Sequence, residues 1–197
     1  MALNTANSLI ALDEMKTYLN ISIADYDTIL EQLIDGVSWK FNEYTNRKLK
    51  ARDLTEYYNG EGKTELFTRE YPINSDKDSI EIYIDSDRAY GADTKVDADT
   101  IIIDSSIGKI TLEEDSFVDY PQGTKIVYNA GYSTIPYDLT EACRKQVKYE
   151  FNKWKDNREG KNTVNIDAGS ITFTEDAFLP EVEQVLKRYK AHGHIYA

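Results

Sequence analysis

A single cysteine, Cys143, stands in a chain of 197 residues. One thiol closes no intrachain disulfide and builds no cysteine-based zinc site, and its place within a helical pattern reads as a small buried hydrophobe. Histidine is nearly as scarce. His192 and His194 lie two residues apart near the C-terminus, with no cysteine or carboxylate-rich partner nearby, so they read as part of a terminal tail. No Ser-His-Asp or Cys-His arrangement suggests itself, and carboxylate pairs cannot be picked out without geometry; no catalytic residue, metal or cofactor is expected. No apolar run approaches the roughly 20 residues of a membrane span. Met1 to Ile10 lacks the positive charge and apolar length of a secretory signal, so the expected compartment is the cytoplasm where the chain is made, with no membrane partner. Cations are short as well: 23 basic residues face 35 acidic ones, a net charge of −12. Phosphate backbones are gripped by cations that displace counterions, so this balance argues against tight non-specific binding of nucleic acid.

Tyrosine is what the chain has in quantity, 15 against 6 Phe and 2 Trp. Its apolar body and polar tip suit surfaces that are wet at one time and covered at another, although strands favour tyrosine too. Hydrophobic residues at 41% and charged ones at 29% allow a packed core and argue against wholesale disorder.

The hydrophobic period changes twice along the chain. Leu12, Met15 and Leu19 mark a short helix. A longer one follows, capped by Asp25, with Tyr26, Leu30, Leu33, Val37, Phe41 and Tyr44 on one face. It is expected to end near Asn46-Arg47-Lys48, whose cations would complement its C-terminus. From Leu54 the period is two. Leu54–Tyr58 and Thr64–Phe67 flank Asn59-Gly60-Glu61-Gly62, which predicts a hairpin. Ser79–Ile84, Thr100–Ile103, Lys109–Leu112 and Lys125–Tyr128 are further strands, and residues 85–99 read as an exposed acidic excursion. Pro136 and Asp138 open a third helix, running to Asn157 with Leu139, Cys143, Val147, Phe151 and Trp154 on its face. Val164, Ile166, Ile171 and Phe173 around Ala168-Gly169 suggest a small hairpin, and Pro180 opens a last helix. Grouped strands predict an α+β fold. Its parts are a mainly helical N-terminal part of two helices, a central short-stranded antiparallel β region, a long helix, a small hairpin and a C-terminal helix.

Charge is divided. Between Asn74 and Tyr120 there are 13 acids and 4 bases, and between Arg144 and Lys161 there are 7 bases and 3 acids. Opposite charge on two parts of one chain suits self-association, and equally suits solvated loops and a solvated helix face. Gly60-Glu61-Gly62-Lys63-Thr64 ends like a phosphate-binding loop, but Tyr57 occupies the position of its first glycine and strands flank it. Asp85-Ser86-Asp87 begins like a calcium loop, yet Tyr90 takes the place of the turn glycine.

Several stretches together resemble the head–tail connector family of long-tailed bacteriophages and prophages, also described as neck adaptors or DNA-packaging connectors. They are Leu9 to Ile21, Tyr44-Thr45-Asn46-Arg47, Tyr71-Pro72-Ile73, and Gly123 to Tyr132 followed by Ile135-Pro136-Tyr137-Asp138-Leu139. The likeness covers most of residues 9 to 190 and omits 85–99. It implies a structural virion protein and no enzyme: a ring of about twelve copies beneath the portal, extending the DNA channel and joining the DNA-filled head to the tail. The implied partners are its own copies, the portal protein and the next neck or tail-completion protein. The chain would be monomeric alone, and double-stranded DNA would pass through without sequence-specific binding. The implied place is the virion neck, with assembly in the host cytoplasm.

Residues 1–8 are expected to be loose, 9–158 to form the connector core, and 159–197 to form an appendage of hairpin and helix. Val182, Val185, Leu186 and Tyr189 on the last helix are the expected portal-docking residues. Part of the acidic stretch from Asp76 to Asp119 is expected to line the channel, where it would repel DNA; the individual channel-lining residues stay unassigned. A small acidic non-viral module binding carbohydrate or protein is the alternative reading, and a carboxylate enzyme a third.

Overall fold

The structure, a computed structural model, describes residues 2–156, 163–166, 169–172 and 178–191. Its order is α1 (Leu12–Leu19), α2 (Asp27–Thr45), β1 (Arg52–Tyr58), β2 (Glu65–Phe67), β3 (Glu81–Ile84), β4 (Ile101–Asp104), β5 (Lys109–Leu112), β6 (Thr124–Ala130), α3 (Tyr137–Lys155), β7 (Thr163–Ile166), β8 (Gly169–Thr172) and α4 (Pro180–Arg188), with three short 3-10 turns between β3 and β5. That is the α+β succession expected. The chain forms two compact units: residues 2–46 and 135–190 make a helical one, and residues 47–134 make a β one. His192, His194, Asn157, Gly160, Ala168 and Phe173 lie outside the described residues.

In the helical unit, Leu30, Ile34, Val37 and Phe41 of α2 recur at steps of four and three, and all are buried. Asp25 does not cap this helix. Tyr26 is the N-cap, with its ring edge-on to Phe151 at 5.4 Å and to Trp154 at 6.4 Å. The acidic charge of the first turn comes from Asp27, whose carboxylate takes the Lys16 ammonium at 2.6 Å. The first residues are anchored where a loose terminus was expected. The Asn4 amide donates to both Asp35 oxygens at 3.1 and 2.9 Å, and the Ser8 hydroxyl donates to Oδ1 at 2.7 Å. Leu9 and Ile10 then enter the core, with the Leu9 amide donating to Ser38. Along α3, Leu139, Cys143, Val147 and Phe151 are buried as their spacing predicts, while Trp154 remains 38% exposed. Burial pushes the Cys143 thiol up to about 12, as befits an inert packing residue. β7 and β8 pair antiparallel, Val164 opposite Ile171, giving the expected hairpin.

The β unit holds two three-stranded antiparallel sheets, ordered β1-β6-β3 and β2-β5-β4. β1 and β2 are both strands, but they form no hairpin and lie in different sheets. β1 pairs along its whole length with β6, from Arg52 opposite Ala130 to Tyr58 opposite Thr124, and β2 pairs with β5. The chain at Asn59–Gly62 instead crosses from one sheet to the other. The Gly62 amide donates to the Phe117 carbonyl at 2.9 Å, and a Cβ on Gly60 would lie 1.9 Å from the Val118 oxygen. Local turn chemistry was legible; which strand followed the turn home was not. Between the sheets lie Tyr58, Leu66, Ile80, Ile82, Val96, Ile101, Ile110, Leu112, Phe117, Ile126 and Tyr128. The Glu56 carboxylate accepts from both buried phenols, Tyr58 and Tyr128, the latter at 2.6 Å. Burial is the first cause that pushes both phenols above the ordinary tyrosine value.

Residues 85–99 are an ordered excursion. The Asp85 carboxylate accepts the amides of Asp87, Ala89 and Tyr90 at 2.8, 2.9 and 2.8 Å, closing a turn on its own backbone. Val96 beyond it is buried, and its amide donates to Ile82.

Both ends of the β unit meet at Arg47. α2 stops at Thr45, whose hydroxyl donates to the Phe41 carbonyl, and Asn46 takes the left-handed conformation at φ 52°. Arg47 therefore does not sit on the helix C-terminus as expected. It turns into the β unit, 4% exposed, with its guanidinium 3.6 Å from the Tyr71 ring centre and 5.7 Å from that of Tyr132, donating to the Tyr71 carbonyl. Next to it the Lys48 amide donates to buried Glu70 at 2.8 Å, and the Tyr132 amide donates to the Leu49 carbonyl at 2.8 Å. Gly131 has φ +103°, and a Cβ there would lie 2.8 Å from the Lys50 carbonyl carbon, so glycine is required where the two segments run together.

Arg47→Ala is expected to lower unfolding free energy by about 3 kcal/mol or more, because it leaves buried acceptors behind; chemical denaturation measures it. Arg47→Lys should recover only part, since an ammonium cannot stack flat on Tyr71. Burial, opposed by the Lys48 amide and Arg47, raises the Glu70 carboxyl above its ordinary value. Stability from the protonated form is then fully present below the ordinary carboxylate value and is lost as pH rises through the raised one. Glu70→Gln should remove that slope, so that its melting temperature gains on wild type as pH rises across this window.

Candidate assembly surfaces

Among the described residues no three of His, Cys, Asp and Glu cluster as a metal site, and no helix is long and apolar enough to cross a membrane. The remaining function-bearing features are surfaces. The expected docking helix α4 gives the first.

α4 is strongly two-sided, and its apolar side faces inward. Val182 and Leu186 are each 0% exposed in the helical unit's core. Phe178, just ahead of the helix, packs edge-on against Phe41 at 5.7 Å and Tyr44 at 5.3 Å. The Leu179 amide donates to Gln146, and the Tyr44 hydroxyl donates to Glu183 at 2.8 Å. At the far end Asp138 accepts from Arg188 at 3.0 Å and from the Tyr189 hydroxyl at 2.5 Å. Of the four residues expected to dock, then, Val182 and Leu186 are core, and Tyr189 is tied to Asp138. The same apolar stripe that suggested docking is satisfied within the chain, a choice periodicity alone cannot make. Val185 and Tyr189 are both half-buried, and Val185 keeps its open surface in a groove it shares with Tyr137, Glu141, Ala142 and Lys145. Tyr137 is 75% exposed, and Trp39 on α2 is 59% exposed. Aromatics of this size left in water are enriched at protein interfaces.

The charged faces are sharper in the structure than in the sequence. In the helical unit, Lys145 pairs with Glu181 at 3.1 Å, and Arg144 pairs with Glu14 and Glu141. Among the described residues Lys148 and Lys155 meet no carboxylate; their ammonium groups lie 5.7 Å from the Tyr18 ring centre and 5.8 Å from that of Tyr26. In the β unit, Lys77 pairs with Asp99 and Lys95 with Glu81, which uses two of the few cations there. The motif-like Lys63 pairs with its neighbour Glu61 and leads into a strand, so the phosphate-loop resemblance carries no site.

The model of the head completion protein family matches residues 8–192. The chain belongs to the head completion protein family. This is a family of structural proteins, in keeping with the expected role and the suspected connector resemblance. A solved chain from the neck of an empty gene transfer agent particle computed with C6 symmetry is similar to it at TM-score 0.60 and 17% identity, over 98% of this chain and 93% of that one. A chain from the neck of the native particle computed with C12 symmetry is similar at TM-score 0.60 and 17% identity, over 98% and 96%. A chain from the virion of the native particle is similar at TM-score 0.60 and 16% identity, over 98% and 93%. No curated protein matches. At these identities the likeness is one of fold, and it extends through both units of this head completion protein.

Leu186→Ala is expected to destabilise the helical unit by about 2–5 kcal/mol, the range for a fully buried leucine, as measured by thermal or denaturant unfolding. Removing residues 179–197 should likewise expose the α2–α3 core and lower the melting temperature, which differs from the clean loss of a docking arm.

Proposed function

We propose that this head completion protein assembles as a ring of about twelve copies beneath the portal in the virion neck, extends the DNA channel, and joins the filled head to the tail. The observation that carries the reading is the family match over residues 8–192 together with likeness over 98% of the chain to a chain from the neck of a gene transfer agent particle computed with C12 symmetry. The surface chemistry supports it. A ring component needs faces for its neighbours and tolerance of DNA, and this chain combines exposed aromatics with an acidic β unit. The exposed carboxylates of Asp87, Asp93 and Asp97 on the 85–99 excursion are the proposed channel lining, where they repel DNA phosphates. Portal docking is proposed on the groove where Val185 and Tyr137 keep exposed surface, since the rest of the α4 stripe is used internally. Docking onto a pre-existing ring explains how copies that are monomeric alone would gather.

Negative-stain images of the purified protein, alone and mixed with the portal protein of its own particle, test this. Rings are expected with portal and not without it. Val185→Asp and Tyr137→Ala should each reduce co-sedimentation with portal rings while leaving the melting temperature within about a degree of wild type, as surface changes do. A protein that stays monomeric with portal and instead binds soluble glycans would favour the acidic binding-module reading.

A further inference from the structure

We infer that neighbouring copies join head to tail through two specified faces: the Lys148–Lys155 face of one copy's helical unit against the outer face of the β2-β5-β4 sheet of the next. This rests on the ring reading and names its contacts.

The first face is a pair of unspent cations over aromatic rings. Lys148 and Lys155 are seven residues apart on α3, so they project from one side of the helix, about 10 Å apart along its axis. Both are exposed, and among the described residues neither has a carboxylate partner. Trp154 lies alongside, 38% exposed and edge-on to Tyr26. Apolar surface is thus flanked by two ammonium groups whose hydrogen bonds are still to be made.

The second face has the inverse make-up. On the β2-β5-β4 sheet the side chains directed away from the core include Ile102, opposite Thr111, and Asp104, opposite Lys109. Glu113 continues the same side, its amide donating to the Thr100 carbonyl at 3.0 Å. Ile102 is 52% exposed, unusual for a β-branched residue inside a strand, and carboxylates flank it at Asp104 and Glu113. Lys109, the cation on this face, is paired with Glu65 at 2.6 Å. Glu113 and Asp104 stand four residues apart in register, about 13 Å at strand spacing. Two lysine side chains about 10 Å apart span that separation with ordinary rotamer adjustment.

A second copy is the occupant these faces fit. One is apolar with two cations that have no carboxylate partner among the described residues; the other is apolar with two exposed carboxylates, of which Asp104 accepts only from the neighbouring Ser106 hydroxyl at 2.7 Å, and both faces belong to every copy in equal number. Different faces on one chain make a heterologous contact, and a heterologous contact is the kind that generates rings.

Charge reversal tests the pairing on portal-bound particles, counting rings by negative stain. The double variant K148E/K155E and the double variant D104K/E113K should each lower the ring fraction by about tenfold or more, since like charges would then be juxtaposed. All four positions are exposed, and unfolding curves confirm that each variant folds. Carrying all four changes in one chain restores opposite charge across the contact and should recover most of the rings. Undiminished rings in either double variant would overturn the inference, as would a fourfold variant that stays as defective as its parents. Wild-type protein that forms no ring on portal would instead sink the ring reading itself.

Discussion

The β unit depends on a buried cation. It occupies residues 47–134, leaving the helical unit after Asn46 and returning to it at Ile135. Holding the two ends of so long an excursion together costs closure entropy that grows with its length. Arg47 offsets that cost at the first residue, with Tyr71 against one side of its guanidinium and Tyr132 nearby. The charge is not isolated, because Tyr71 supplies a carbonyl and Glu70 lies close enough to feel it. The close passage of Lys50–Ala51 by Gly131 then follows from the same clasp. An arginine is required because its flat, weakly hydrated head can stack and donate at once, which a lysine cannot do.

That clasp gives physical meaning to the scattered stretches that resemble the connector family. Tyr-Thr-x-Arg, Tyr-Pro and Ala-Gly-Tyr are far apart in sequence and individually weak as signals. In the fold, Arg47, Tyr71 and Tyr132 come from those three stretches and form one cluster. Thr45 and Asn46 end α2 so that Arg47 points into the β unit, and Gly131 permits the approach that brings Tyr132 alongside.

Reading the sequence succeeded where spacing decides structure and failed where partner choice does. The 3.6-residue period located α1, α2 and α3, and the two-residue period located the strands. Nothing local distinguishes a turn joining paired strands from one crossing between sheets, so the pairing of β1 with β6 was invisible. Arg47 looked like a helix-terminal cation because its aromatic partners lie 24 and 85 positions further along. The stripe on α4 was real as a stripe, but two of its four residues, Val182 and Leu186, are buried in the chain's own core, which spacing alone does not reveal. The N-terminal segment was underestimated for a similar reason: Asp35 holds it, and Asp35 is just another acid in a list of residues. What could have been seen is the surplus, two lysines on one side of α3 without an acidic residue four positions before either that faces them.

Weak contacts suit an adaptor that must wait for its template. An exposed ion pair contributes only about 0.2–1 kcal/mol, and burying Ile102 and Trp154 at a rim adds modestly to that. Such a contact leaves free copies dispersed at ordinary concentrations, which a strongly apolar face would not. Once one copy is held on a multimeric platform, its neighbour's binding becomes effectively intramolecular, and the same small contact is amplified by effective concentration. The proposed alternation of basic and acidic faces would also give direction: each copy would present to the next what the previous one presented to it. The acidic majority of the β unit need not be spent on neighbours at all. In the proposed assembly, two carboxylates at the contact would leave the 85–99 excursion free to keep DNA at a distance, so that the chain's overall acidity and the two lysines of α3 would serve different parts of the ring.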